Sequence, residues 1–184
     1  MESKILYHGS SDILTEPFIR ATKFYKDFGW GFYCTNIKKQ AYKWAIRRSN
    51  EKGVINSYTY VENSNLKILK FEDLNDEWLD FIASCRVGNQ HDYDIVEGAM
   101  ADDVIWDWVS DFLEGTISRT AFWELVKFRH PTHQISFHTP RALQCLKYND
   151  HEFVTGVDDS AIKLLNSYKN INIKLFQRRE KFRR

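Results

Sequence analysis

Hydrophobic positions along this chain change period often, and each change marks an element. Residues 4–8 (Lys-Ile-Leu-Tyr-His) form a short apolar run that stops at Gly9-Ser10-Ser11, the pattern of a strand ending in a turn. Residues 9–27 hold no period and read as loop. Phe28-Gly29-Trp30-Gly31-Phe32-Tyr33-Cys34-Thr35 is aromatic and punctuated by glycine. It leads into a helix over about 37–48, with Ile37, Ala41, Trp44 and Ala45 on one face and Lys38, Lys39, Lys43 and Arg47 on the other. Residues 54–61 and 66–71 predict two strands separated by Glu62-Asn63-Ser64-Asn65, and 77–84 predicts a helix. Residues 93–96 predict a short buried strand. Asp102 or Asp103 can cap a helix that ends at Gly115, and a second helix follows over about 117–128. Residues 133–138 alternate like a strand, Pro140 opens a helix through Tyr148, and 160–169 predicts one more.

Strand pairs mixed with helices that do not alternate regularly predict an α+β fold. No linker breaks the chain, so residues 1–150 read as one domain with a helical insert at about 102–128. Residues 151–184 add a C-terminal helix and a basic tail to it.

Composition narrows the function classes. The 184 residues are 43% apolar and 15% aromatic, far too rich in material to bury for a disordered chain. A net charge of +1 gives no global field toward nucleic acid or membrane. The three cysteines, Cys34, Cys85 and Cys145, lie far apart in an odd number, which suits reduced thiols in a cytosol. The N-terminus lacks an apolar signal region, and no apolar stretch approaches the roughly 20 residues of a membrane span. A cytoplasmic protein is the expectation.

Common chemical signatures are absent. There is no P-loop, and the Gly29-Trp30-Gly31 start of a dinucleotide fingerprint has Cys34 where a third glycine would permit tight packing. His130, His133 and His138 fall close together, but no thiolate or carboxylate completes a tetrahedral metal set at a familiar spacing. No nucleophile elbow occurs, and no cysteine has an activating neighbour.

What remains is Leu6-Tyr7-His8-Gly9-Ser10, then Phe28-Gly29-x-Gly31-x-Tyr33-x-Thr35, then a helix carrying Ala41, Tyr42 and Ala45. This order resembles the NAD-binding half of the diphtheria-toxin-type ADP-ribosyltransferases and poly-ADP-ribose polymerases. There, an L-x-H-G-S/T strand end precedes a G-x-G-x-Y segment and a helix. The likeness is close over residues 5–45. D-F-G-x-G-F-Y-x-T, the later stretch from His91 to Asp103, and Gln134-x-x-Phe137 also resemble a small bacterial family known only as a domain of unknown function, over about residues 5–148.

The resemblance implies a split pair of bent antiparallel sheets around an NAD cleft, with the helical pair inserted before the last core strand. It assigns His8, Gly9, Ser10, Gly31, Tyr33, Thr35 and Tyr42 to the NAD site. The residue types suit that work. A glycine backbone can approach the nicotinamide carboxamide and satisfy it, which fits Gly9. An aromatic face attracts the cationic ring, the role of Tyr33, and Tyr42 one helical step along can close a sandwich. His8 can bond a ribose hydroxyl.

The third motif of those transferases supplies a glutamate from a late strand, and here the position falls on Gln134. Glutamine accepts a hydrogen bond but brings no net charge and cannot act as a base. Chain elongation is therefore not expected, whereas single transfer depends more on orientation. Glu97, Asp102 and Asp103 are candidates for a missing carboxylate, with helix capping the competing role for Asp102 and a structural hydrogen-bonding role for Asp94. The expected function is mono-ADP-ribosyl transfer from NAD to a protein or nucleic-acid acceptor, as in bacterial toxin-like effectors that pair with an antitoxin-like protein. Two alternatives remain: a non-catalytic NAD or ADP-ribose binding module, and a nucleic-acid-binding protein whose basic tail does the work.

Overall fold

The first strand, β1 (Ser3–Ser10), shows how the chain divides its apolar residues. The computed structural model describes residues 3–21, 26–48, 52–101, 103–127 and 131–155. Leu6 and His8 face a second sheet, whereas Tyr7 and Gly9 face helix α1 (Lys38–Arg48). Strand β3 (Lys52–Val61) repeats the alternation: Tyr58 and Tyr60 are buried between the sheets, and Gly53 and Ile55 lie under α1. With β7 (Leu146–Thr155) these strands form an antiparallel sheet of order β1-β3-β7.

The second sheet has four strands in the order β2 (Phe32–Cys34), β6 (Gln134–Phe137), β5 (Ile95–Gly98) and β4 (Ile68–Lys70). Its inner face gives Phe32, Cys34, Ile95, Ile135 and Phe137 to the layer shared with the first sheet. Tyr33 and Val96, on the outer face, belong to a second core with α2 (Asp76–Arg86), α3 (Asp103–Leu113) and α4 (Arg119–Val126). Among the described residues the sheets meet at one isolated bridge, where Tyr7 and Thr35 exchange backbone hydrogen bonds of 2.8 and 2.9 Å.

The α+β class and the two-sheet plan agree with expectation, and three details correct it. First, the sheets are not both antiparallel, and the strands expected around 54–61 and 66–71 lie in different sheets. β4 instead lies parallel to β5, so the second sheet is mixed. The fully buried Asp94 explains this: its backbone N–H donates to Lys67 O, and its carboxylate accepts from Lys67 N, Thr139 Oγ1 and both arms of Arg141. The Arg141 guanidinium holds that carboxyl down at about 2. Second, the helix that Pro140 opens, α5 (Pro140–Leu143), lasts one turn. Leu146 then begins β7, whose pairing with β3 overrides local propensity. Third, the helical insert therefore precedes the penultimate strand, not the last.

α3 ends near Gly115, which takes φ +73°, and Ser118 caps α4 by accepting from Ala121 N. The three cysteines are free and buried. The helix expected over 160–169 and the basic tail lie outside the described residues. Among the described residues, no helix is long and apolar enough to cross a membrane.

His138, just after β6, adds a pH dependence. Its Nδ1–H donates to Trp30 O at 2.7 Å, and its Nε2 lies 2.8 Å from Ser136 Oγ. Burial, then the neighbouring His91, pulls its pKa down to about 4 against a donor bond to Trp30 that raises it. The folded pKa lies below the unfolded one, so the unfolded chain binds the extra proton as pH falls through 6.5 toward 4. Stability is full above that window and declines within it. From pH 7 to pH 5 the decline from this group is on the order of 1–2 kcal/mol, allowing for its partial exposure. Imidazole NMR titration of the folded chain is expected to show no His138 midpoint above pH 5.5, alongside a falling urea midpoint.

Candidate functional site

β1 and β2 bring the His-Gly and Gly-x-Gly-x-Tyr segments side by side. His8 is buried, stacks on Phe32 with ring centroids 4.4 Å apart, and its Nδ1 lies 2.5 Å from Tyr33 O. A carbonyl only accepts, so Nδ1 carries the proton. In the neutral ring Nε2 is then an acceptor. Tyr33 follows on the outer face of β2. Its hydroxyl donates to Gly29 O at 2.6 Å and accepts from Phe28 N at 3.2 Å, strapping the turn beneath its own ring. Burial, then the charge of Asp27, pushes its phenol well up. Only 7% of Tyr33 is exposed, and Lys26 Nζ sits 4.4 Å from its ring centroid. A cation already lies over the aromatic face that the NAD reading reserves for a cationic ring.

Gln134 shares the outer face of the sheet with Tyr33, one strand away, and it is buried. Its Nε2 donates to Asp27 Oδ2 at 3.0 Å and to Ala99 O at 3.3 Å. Both partners accept, which fixes the amide orientation and aims Oε1 elsewhere. Asp27 is the residue that sequence reasoning missed. Its other oxygen pairs with Arg86 at 2.7 Å, and Oδ2 also accepts from Ala101 N at 2.9 Å. Arg86 in turn lies 3.7 Å over the Trp106 ring. Asp27 and Gln134 are 107 residues apart, so no spacing rule could have joined them. The only signal was a charge set directly before the aromatic-glycine run.

The other expected residues serve visible packing and backbone roles. Gly9 lets α1 approach: a Cβ there would stand 2.0 Å from Ala41 O. Gly31 lies against Phe137 O and the His138 ring. Ser10 joins Asn56 and Asp12 O in a network that ties down the loop after β1. Thr35 is fully buried, and its hydroxyl accepts from Ile37 N at the start of α1. Tyr42 packs against Ala41, Ala45, Ile55 and Val154, a cluster that does not include Tyr33, and its hydroxyl donates to Thr155 O at 3.1 Å.

Of the carboxylate candidates, Asp102 and the Asp103 side chain lie outside what is described, and Glu97 stands in a cleft of about 390 Å³. This cleft is lined by Lys4, Lys70, Phe71, Glu72, Asp73 and His133 among others, and by none of the residues assigned to NAD. His133 Nδ1 accepts from Asn36 N at 3.1 Å, so Nε2 carries the proton and donates to Glu97 Oε1 at 3.1 Å. Gln40 grips the His133 backbone at both ends, at 2.6 and 3.2 Å. His133, then Lys4, holds the Glu97 carboxyl below its usual range against the opposing effect of burial. Among the described residues, no set of three or more ligating side chains is placed to hold a metal ion. His133 and His138 face different partners, and His130 is outside the described residues.

Comparison with known proteins gives a family match. No curated protein and no solved structure matches the chain. The model of a family described as "Protein of unknown function (DUF3990)" matches residues 4–148, a span that holds the second sheet, the five described helices, the cleft, and the first sheet up to the opening residues of β7. The chain belongs to the DUF3990 family.

Proposed function

We propose that this protein binds NAD and transfers a single ADP-ribose unit to an acceptor. The observation that carries the reading is the β1–β2 junction. It sets His8, Tyr33 and Gln134 on neighbouring strands, and an imidazole nitrogen and an amide oxygen are groups able to accept from ribose hydroxyls. In the reaction the nicotinamide–ribose C–N bond breaks, and nicotinamide leaves neutral with the bonding pair. An acceptor lone pair then bonds the sugar carbon, and the acceptor's proton passes to solvent. Gln134 offers a dipole toward the oxocarbenium-like sugar, and Asp27, 3.0 Å behind it, adds negative charge that Arg86 partly offsets.

Binding requires Lys26 to leave the Tyr33 ring so that nicotinamide can take its place. That displacement gives the second reading its footing: a module that binds NAD or ADP-ribose without turning it over. The test uses NAD labelled in the adenylate, incubated with a bacterial lysate and the full chain, beside His8→Ala. Products are split between protease and nuclease digestion before counting. Label that depends on His8 and disappears with one digestion is the expected result, and it names the acceptor as protein or nucleic acid. NAD binding without nicotinamide release would leave the binding module. No NAD binding at all would end both readings and leave nucleic-acid binding by the tail, recognisable by steep salt dependence.

A further inference from the structure

The Glu97 cleft is a second site, separate from the residues assigned to NAD. Its geometry is held on several sides: Gln40 fixes the His133 backbone, Asn36 N fixes the ring, and Thr132 exchanges two hydrogen bonds with the Met100 backbone at 2.9 and 3.0 Å. All of this steadies one carboxylate. Glu97 Oε1 accepts from His133 Nε2–H, while Oε2 is buried with no hydrogen-bond partner among the described residues. An ionised oxygen left so is expensive in a folded protein, and its occurrence points to a donor brought by a ligand. The surroundings specify the charge of that donor. Glu72 and Asp73 line the cleft without an ion pair among the described residues, and Lys70 is already bonded to Glu62 at 2.6 Å. Lys4 reaches Glu97 only loosely, at 4.0 Å, with half its side chain exposed.

We infer that this cleft binds a guanidinium group, whose paired N–H donors satisfy Glu97 and displace Lys4. Guanidinium suits the site better than ammonium because it is flat, it bonds a carboxylate with two arms, and Phe71 in the cleft wall offers it an aromatic surface. The group comes either from an arginine side chain of a peptide or from a small guanidino compound.

The experiment follows the amide NMR signals of Gly98, Ala99, Thr132 and His133 in the full chain. It titrates methylguanidinium, methylammonium and a short capped peptide carrying either arginine or its neutral isostere citrulline. Saturable shifts with methylguanidinium and the arginine peptide, and none with citrulline, are expected. Glu97→Gln is expected to weaken binding at least about tenfold, a loss of the size a charged two-armed contact carries. Lys4→Met is expected to tighten binding about two- to threefold, because it removes the competing cation, and damage to the fold cannot produce that result. Tighter binding of the peptide than of methylguanidinium assigns the source to a polypeptide, and equal binding assigns it to a small molecule. Unchanged affinity in Glu97→Gln overturns the inference, as does weaker binding in Lys4→Met. Shifts caused by methyl phosphate but not by methylguanidinium would make this an anion site on Lys4 and Lys70.

Discussion

Gly9→Ala is expected to destabilise the fold by about 3 kcal/mol or more, at the upper end of what overpacking costs. A Cβ at that position would lie 2.0 Å from Ala41 O, 2.6 Å from Ala45 N and 2.9 Å from Trp44 Cβ. The first two are helix backbone, which cannot turn aside as a flexible side chain could. Gly53 on the neighbouring strand makes the same demand, with Ala45 backbone atoms 2.7 Å from its virtual Cβ. Together the two glycines form a saddle on which α1 rests. Lifting α1 would also loosen Gln40 from His133, so the damage would reach the Glu97 cleft. Urea denaturation followed by tryptophan fluorescence measures the loss, with Trp44 on the displaced helix as a local reporter. A midpoint equal to wild type, combined with lost NAD binding, would instead show that Gly9 is small for the sake of a ligand.

That prediction marks where sequence reasoning reached and where it stopped. Elements with a strong period were legible, including β1, α1 and the pair α3 and α4, because their burial follows from local spacing. β7 was not. Among its ten residues only Leu146 and Val154 are buried, and what makes the segment a strand is the partner β3, about ninety residues earlier. The pairing of β4 with β5 was hidden for the same reason, since it depends on Asp94 joining Lys67 to Arg141. For the site, the order of His8, Gly31 and Tyr33 was readable as a motif. What the motif could not show is how tightly each residue is engaged by its neighbours. Gly9 is small for a helix, Ser10 holds a loop, and Tyr33 holds a turn. Glu97 was one candidate among three, and only the fold brings it to His133, 36 residues away.

Asp27 lies deepest in that hidden layer, and its removal is expected to have the other large effect. Asp27→Ala takes the carboxylate away from Arg86, which is only 5% exposed on its side chain, and strips the acceptor from Ala101 N and Gln134 Nε2. A buried cation left without its partner typically costs about 3–5 kcal/mol. Arg119 provides the contrast: it pairs with Asp76 and Asp80, but all three side chains are more than a third exposed, so Arg119→Ala is expected to cost less than about 1 kcal/mol. The double variant Asp27→Ala with Arg86→Met removes both charges and puts an apolar chain against Trp106. It is expected to recover about 1–3 kcal/mol relative to the sum of the single variants. The four chains of this cycle can be compared by urea denaturation at pH 7. A strong positive coupling would place the Asp27–Arg86 pair at the centre of the helical core, with Gln134 held in position by the same charge. Additive losses would mean that Arg86 reaches water when Asp27 is gone.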